Sequence, residues 1–217
     1  MSKFYTNLVL LGDDILYRGY EHGQRVQYRD RSSPVLFFVP KAQSKPTKFK
    51  TLDGRRAYKK QFSGAREARE VLKQYEDTDG LEVHGYERFV YQHINQKFPS
   101  DIDYDMSMMK IYTIDIEVAC ENGFPDVQAS AEEMLCLTIK DFNTKKIITW
   151  GTREFTPPEG VEYRVFWTEQ EMLSDFHKWW SDNTPDIITG WNNNLYDIPY
   201  ICRRMERVLG EKWKKSL

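Results

Sequence analysis

The 217-residue chain is 40% apolar and 14% aromatic, which is enough for one large or two small domains with real cores and excludes a disordered protein. Its 31 basic and 33 acidic residues nearly cancel, so no global field draws it onto nucleic acid, and any such affinity has to be local. The opening stretch MSKFYTNLVLLGDD reaches charge too soon for a secretion signal, and no apolar run approaches the roughly 18 residues of a membrane span, so a soluble cytoplasmic protein without a membrane partner is expected.

In chain order, FYTNLVLLGDDILYRGYE and RVQYRD are short runs around glycine-containing turns and predict an antiparallel ribbon, followed by an apolar strand in PVLFFVP. From Lys41 to Lys60 the chain carries eight Lys or Arg against one acid, Asp53. Lys48, Lys50, Arg55 and Arg56 in this run are candidate phosphate contacts, with Phe49 and Tyr58 placed to stack on bases. A solvated loop is the equal alternative. SGAREAREVLKQYEDTDG predicts a helix capped by Ser63, with Ala65, Ala68, Val71, Leu72 and Tyr75 on one face and Gly80 ending the run. LEVHGY and RFVYQHI then read as strands, and the polar, acidic NQKFPSDIDYDMS as a connection near residues 100 to 108. An N-terminal mixed α/β domain over 1–107 and a second domain over 108–217 are expected.

The second half alternates strands and helices. KIYTIDIEVA, MLCLTIKDF and KKIITWG predict three consecutive strands, with VEYRVFW as a fourth. Thr168 and Glu171 form a capping box, and Met172, Leu173, Phe176, Trp179 and Trp180 make one apolar stripe behind it. DIITGW reads as a buried strand. DIPYICRRMERVLG reads as a helix with Ile201, Met205, Val208 and Leu209 inward and Arg203, Arg204 and Arg207 outward. The fold class is α+β, with a mixed sheet in the second domain. Trp167, Trp179, Trp180 and Trp191 are expected in its core, and His177 at the core's edge. His84 and His93 have no ligand partner at a useful spacing. Cys120, Cys136 and Cys202 lack a Cys-x-x-Cys pair and read as small buried thiols in a reducing compartment.

Two carboxylates interrupt the apolar run at 113–119. Strand alternation puts Tyr112, Ile114, Ile116 and Val118 on one face and Thr113, Asp115 and Glu117 on the other. Asp115 and Glu117 then have Cα atoms roughly 7 Å apart, close enough to converge on one ion or an ion pair. Unscreened, the pair raises one pKa and destabilises the strand; hard oxygen ligands suit Mg²⁺ or Mn²⁺, and two such ions serve phosphodiester cleavage. The solvated face of an amphipathic edge strand is the plainer reading. Downstream, GWNNNLYD links an apolar strand to a helix, with Asn192 five residues before Asp197 and Tyr196 just ahead of the acid. A turn with Asp197 as helix N-cap is the plainer reading there.

Taken together, YTIDIEVACENGFPD and DIITGWNNNLYDIPYICRRM resemble the first and second exonuclease motifs of family B DNA polymerases, most closely the replicative enzymes of T-even-type bacteriophages. The likeness extends over the whole chain, including KFYTNLVLLGDDILYRGYE and AREAREVLKQYED of the family's N-terminal domain. It implies that Asp115, Glu117 and Asp197 are catalytic and metal-ligating residues of a ribonuclease H-like 3'-to-5' proofreading domain holding two Mg²⁺ or Mn²⁺ ions. It also implies that Asn192, Tyr196 and Phe124 border the DNA strand being edited. The family's third motif, Tyr-x-x-x-Asp, is not found after Asp197, where no Asp occurs and Tyr200 is followed four residues on by Arg204. Asp77-Thr78-Asp79 reproduces the palm triplet of the family, but at the end of a short helix, and reads as a helix C-terminus.

The resemblance therefore implies a front-end fragment of a phage DNA-directed DNA polymerase, with an exonuclease site incomplete by itself. Its partners would be single-stranded DNA and the remainder of the polymerase, with self-association through the unpartnered surface near RMERVLGEKWKKSL. Two other readings stay open: a non-catalytic module that binds single-stranded nucleic acid, and an unrelated ribonuclease H-like nuclease completing its site with other residues.

Overall fold

A computed structural model describes residues 3–41, 45–76, 78–85, 88–121 and 123–213. The chain divides into two compact units, Met1–Asp105 and Met106–Leu217. The fold is α+β.

In the first unit, β1 (Lys3–Leu11), β2 (Asp14–Glu21) and β3 (Gln24–Arg31) form an antiparallel meander, as the glycine-punctuated runs predict. Its buried residues include Phe4, Ile15 and Tyr17, and the Tyr17 hydroxyl donates to the Phe4 carbonyl at 3.2 Å. A second sheet has β4 (Val35–Pro40) between β6 (Arg56–Gln61) and β7 (Leu81–His84), with β5 (Phe49–Lys50) outside β6. Helices α1 (Ala65–Tyr75) and α2 (Phe89–Lys97) supply Ala65, Ala68 and Phe89 to a core with Leu36 and Phe62.

Two expectations fail in this unit. RFVYQHI belongs to helix α2 rather than to a strand: the buried positions Phe89 and His93 are four residues apart, with Val90, Gln92, Ile94 and Lys97 half-buried beside them, a spacing of a helix face and not of alternate residues. Ser63 does not cap α1. Gly64 occupies the cap position, the Ser63 hydroxyl donates to the Glu67 carboxylate at 2.7 Å, and the free Arg66 N–H is taken at 2.8 Å by Asp13 from the β1–β2 turn. A tertiary carboxylate thus does the work of a local cap. Of the remaining expectations, Asp77, Tyr86 and residues 214–217 lie outside the described residues; Asp79 pairs with Lys41 at 3.1 Å in solvent.

The second unit is one mixed sheet with two helices on it. β8 (Ile111–Val118), β9 (Met134–Asp141) and β10 (Ile147–Gly151) are antiparallel neighbours, while β11 (Val161–Val165) lies parallel to β10 and β12 (Ile187–Thr189) parallel to β8. The sheet order is β11-β10-β9-β8-β12. Alternation turns Ile114, Ile116, Leu137, Ile139, Ile148 and Trp150 into one core with Met172, Leu173, Phe176, Trp180, Tyr200, Ile201 and Met205 of α3 (Glu169–Asn183) and α4 (Asp197–Leu209). The capping box forms as predicted: the Glu171 N–H donates to the Thr168 hydroxyl and the Thr168 N–H to the Glu171 carboxylate, each at 3.2 Å.

Four corrections arise here. β12 is a three-residue edge strand and exposed, because β8 pairs one of its sides and no described strand pairs the other. Trp167 is 85% and Trp191 101% exposed, so these two tryptophans stand outside the core, which holds Trp150 and Trp180 instead. Cys120 is exposed rather than buried, while Cys136 and Cys202 are half-buried. Arg204 points inward: it is 8% exposed and paired with Glu169, because the connection before β9 brings backbone carbonyls to that helix face. His177 sits at the core's edge as expected, its ring edge-on to Trp213 at 4.5 Å.

Candidate active site

The site is built on the carboxyl half of β8. Asp115 and Glu117 are both exposed on one face while Ile114 and Ile116 between and before them are buried on the other, so strand alternation alone sets the two acids side by side. Across the antiparallel register Asp115 faces Thr138 and Glu117 faces Cys136. A β-bulge follows at once: Glu117 pairs with Cys136 but Val118 with Met134, leaving Leu135 as the extra residue on β9. Such bulges bend a strand and re-aim the side chains beside them.

The third acid comes from the other end of the sequence. β12 accompanies β8 only from Ile111 to Thr113, so beyond Thr113 that edge of β8 has no described strand partner. The chain turns away through Gly190–Tyr196 and starts α4 at Asp197. Asp197 is only 4% exposed. Burial is the largest influence on it and raises its pKa; its own N–H opposes this, the neighbouring Asp115 carboxylate raises it further, and the Ile116 N–H lowers it. The thiol of Cys136 is raised as well, by burial first and then by the charge of Glu117. Asp197 therefore stands in the field of Asp115, and Cys136 in that of Glu117.

Among the described residues no three His, Cys, Asp or Glu side chains stand in place to hold a metal ion. The donor set nonetheless suits a hard divalent cation: all three are carboxylates, they sit at one strand edge, and the pKa of one is raised by another's charge.

Around these acids the aromatic residues are ordered in a row. Phe124 is 81% exposed, with its ring 5.0 Å from that of Tyr196, which lies 5.6 Å from the ring of Tyr200. Burial, then the Asp197 charge, raises the Tyr196 phenol. Asn192 is exposed, and its carbonyl holds the turn by accepting the N–H groups of Leu195 at 3.0 Å and Tyr196 at 2.9 Å. Its neighbour Asn193 is the buried one, with neither amide atom partnered, and it fills the space beside Gly190. Lys48, Lys50, Arg55 and Arg56 belong to the other compact unit. Lys48 lies over the Phe49 ring at 5.3 Å, Lys50 is exposed on β5 and Arg56 opens β6. Arg55 is engaged by Asp53 and by both oxygens of Glu82, so its guanidinium is already satisfied.

A buried clamp fixes the loop that carries Phe124. Arg204 donates to Glu169 at 2.7 and 2.6 Å and to the carbonyls of Ser130 at 3.0 Å and Ala131 at 2.7 Å. Glu169 also accepts the Met134 N–H at 2.8 Å, and the Tyr200 hydroxyl donates to the Glu132 carbonyl at 2.7 Å. Sequence reading missed these residues. The available signal was Arg204 itself, which falls three residues after Ile201 and one before Met205, within the apolar stripe of α4.

Residues 87–216 match the family model described as DNA polymerase family B, exonuclease domain. The DNA-directed DNA polymerase of Escherichia phage RB69 is 26% identical over 243 residues, covering 100% of this chain and 27% of that protein. That of Enterobacteria phage T4 is 27% identical over 246 residues, covering 99% of this chain and 26% of that protein. The DNA polymerase catalytic subunit of Human herpesvirus 6A is 29% identical over 113 residues, 49% of this chain and 11% of the relative. The chain thus spans about a quarter of the length of its phage relatives. With the family model matched over more than half the chain, the chain belongs to DNA polymerase family B.

Proposed function

We propose that this chain is the front part of a phage DNA-directed DNA polymerase, its first unit the N-terminal domain and its second the opening part of a ribonuclease H-like 3'-to-5' proofreading exonuclease. The observation that carries the proposal is the meeting of Asp197 with Asp115 at the open edge of β8, where burial and like charge raise the Asp197 pKa. Asp115, Glu117 and Asp197 would hold Mg²⁺ or Mn²⁺, which when bound polarises the scissile phosphodiester and makes water a stronger nucleophile at neutral pH. Phe124 and Tyr196 offer π-faces beside the acids, on which the last bases of a single strand stack; Asn192 at the turn hydrogen-bonds the strand. The clamp of Arg204 on Glu169 keeps the Phe124 loop in register with the acids. The working enzyme acts in the cytoplasm of the infected cell.

The remainder of the polymerase completes the ligand set. Ile187 and Ile188 on the open edge of β12, with Trp191 and Leu195 just beyond, are exposed apolar residues where that remainder docks. Mixing the chain with the downstream polypeptide should raise its sedimentation coefficient. In that completed assembly, Mn²⁺-dependent trimming of a labelled single strand should fall in Asp115→Ala by at least the roughly 10- to 100-fold that a lost supporting ligand costs. Unchanged trimming in Asp115→Ala would falsify the assignment. A second reading for the chain by itself is a non-catalytic module for single-stranded nucleic acid.

A further inference from the structure

In the second sheet of the first unit, Leu36, Phe38 and Val83 belong to the core that α1 and α2 cover. Alternation therefore turns Phe37 of β4, Ala57 and Lys59 of β6 and His84 of β7 to the opposite face. The register agrees: Phe37 stands between His84 and Lys59, and Phe49 of β5 stands beside Ala57. A pocket of about 510 Å³ opens on this face, lined by Phe37, Phe49, Ala57, Leu52, Arg55 and His84 among others.

One wall of the pocket is the turn from β5 to β6. The Thr51 N–H donates to the Arg55 carbonyl at 2.9 Å and the Gly54 N–H to the Thr51 carbonyl at 3.0 Å, with Gly54 in the left-handed region at φ 87°. This hydrogen-bonded turn holds Leu52 fully exposed at the mouth of the pocket. An aliphatic side chain fixed in water beside an apolar recess is surface already placed for a partner to cover. The charges at the rim divide into two groups. Arg55 donates to Asp53 at 2.6 Å and to Glu82 at 2.9 Å, and Glu82 also meets His84 at 3.2 Å, so these four groups satisfy one another. Lys48, Lys50 and Lys59 are exposed and make no ion pair with a described residue; Lys48 lies over the Phe49 ring at 5.3 Å.

We infer that this pocket docks an acidic segment of a protein partner, with one large apolar side chain of that segment between Phe37, Phe49 and Leu52 and its flanking carboxylates on Lys48, Lys50 and Lys59. Charge complementarity sets the chemistry of the occupant: three uncompensated cations around an apolar floor select a chain that is anionic and carries an apolar anchor. A nucleic-acid strand suits the pocket less well. The Arg55 fork, which would hold a phosphate bidentately, is occupied by Asp53 and Glu82. The Phe49 ring is packed edge-on against Phe37 at 5.3 Å and covered by Lys48, so it is engaged within the fold instead of open to a base.

The test is fluorescence anisotropy of the 217-residue chain with a short labelled peptide in which a single phenylalanine is flanked by aspartates. The peptide should bind, and bind more weakly as salt rises. Alanine in place of its phenylalanine should weaken binding at least about tenfold, the share of one buried aromatic side chain. Leu52→Asp should weaken it about tenfold with an unchanged melting curve, because that side chain is fully exposed. Lys48→Gln, Lys50→Gln and Lys59→Gln combined should weaken it about tenfold and remove most of the salt dependence. Wild-type affinity in Leu52→Asp, or equal affinity for the alanine peptide, would overturn the docking pocket. Displacement of the peptide by oligo(dT) would assign the pocket to nucleic acid, and a sedimentation coefficient that rises with chain concentration in the wild type but not in Leu52→Asp would assign it to a second copy; either result overturns the proposal.

Discussion

Replacing Arg204 by Met removes the cation from a buried cluster and leaves its anion behind. Arg204 is 8% and Glu169 9% exposed, and four hydrogen bonds run from the guanidinium to the Glu169 carboxylate and the Ser130 and Ala131 carbonyls. Without it, Glu169 keeps only the Met134 N–H, and two carbonyls lose their donor. Breaking a buried pair from one side costs about 3–5 kcal/mol. Replacing both partners with Arg204→Met and Glu169→Leu removes the stranded charge, leaving mainly the unpaired Met134 N–H and the carbonyls, about 1–3 kcal/mol. The double variant is thus expected to be more stable than the Arg204→Met single by on the order of 2 kcal/mol. All six tryptophans lie after residue 106, so the urea transition read by tryptophan fluorescence reports the second unit alone. A cost below about 1 kcal/mol for Arg204→Met, or a double variant as unstable as the single, would refute the assignment of this pair as a buried clamp.

Two further outcomes follow from buried groups. His93 is buried, its pKa is lowered from 6.5 by burial, and its Nε2 lies 3.6 Å from Asp30, itself bound to Lys97. The unfolded chain then takes up a proton that the folded unit resists, so the stability of the first unit should fall as pH drops from 6.5 through the lowered folded value, and be regained as pH rises. His93→Gln should flatten that slope in a tyrosine-detected melt; an unchanged slope would contradict it. At Gly190 an added Cβ would meet the Asn193 amide oxygen at 2.2 Å, so Gly190→Ala should cost about 1–3 kcal/mol through displacement of the turn before Asp197. Pairing it with Asn193→Ser should restore most of that loss, and no rescue would argue that the contact is not the cause.

Much of the second unit is legible in the residues because its signals are local. The period-two runs of β8, β9 and β10, the Thr168–Glu171 box and the stripe Met172, Leu173, Phe176 and Trp180 each lie within a few residues of one another, and each forms as read. The common face of Asp115 and Glu117 follows from the same alternation. RFVYQHI misleads because four apolar residues in seven fit either period, and only packing of Phe89 and His93 inward decides for the helix.

What sequence could not decide depends on which partner arrives from far along the chain. Arg204 looks like a solvated charge until the carbonyls of Ser130 and Ala131, more than seventy positions earlier, and Glu169 are brought to it. Trp191 and Ile188 look like core until β12 turns out to be the last strand of its sheet. The acids of the candidate site divide along the same line. Alternation within one strand sets Asp115 beside Glu117, a matter of two residues, whereas Asp197 comes under the charge of Asp115 only through the packing of the start of α4 beside β8. Local alternation needs only two residues of backbone, whereas the approach of a helix start to a strand eighty residues earlier needs the packing of the whole unit.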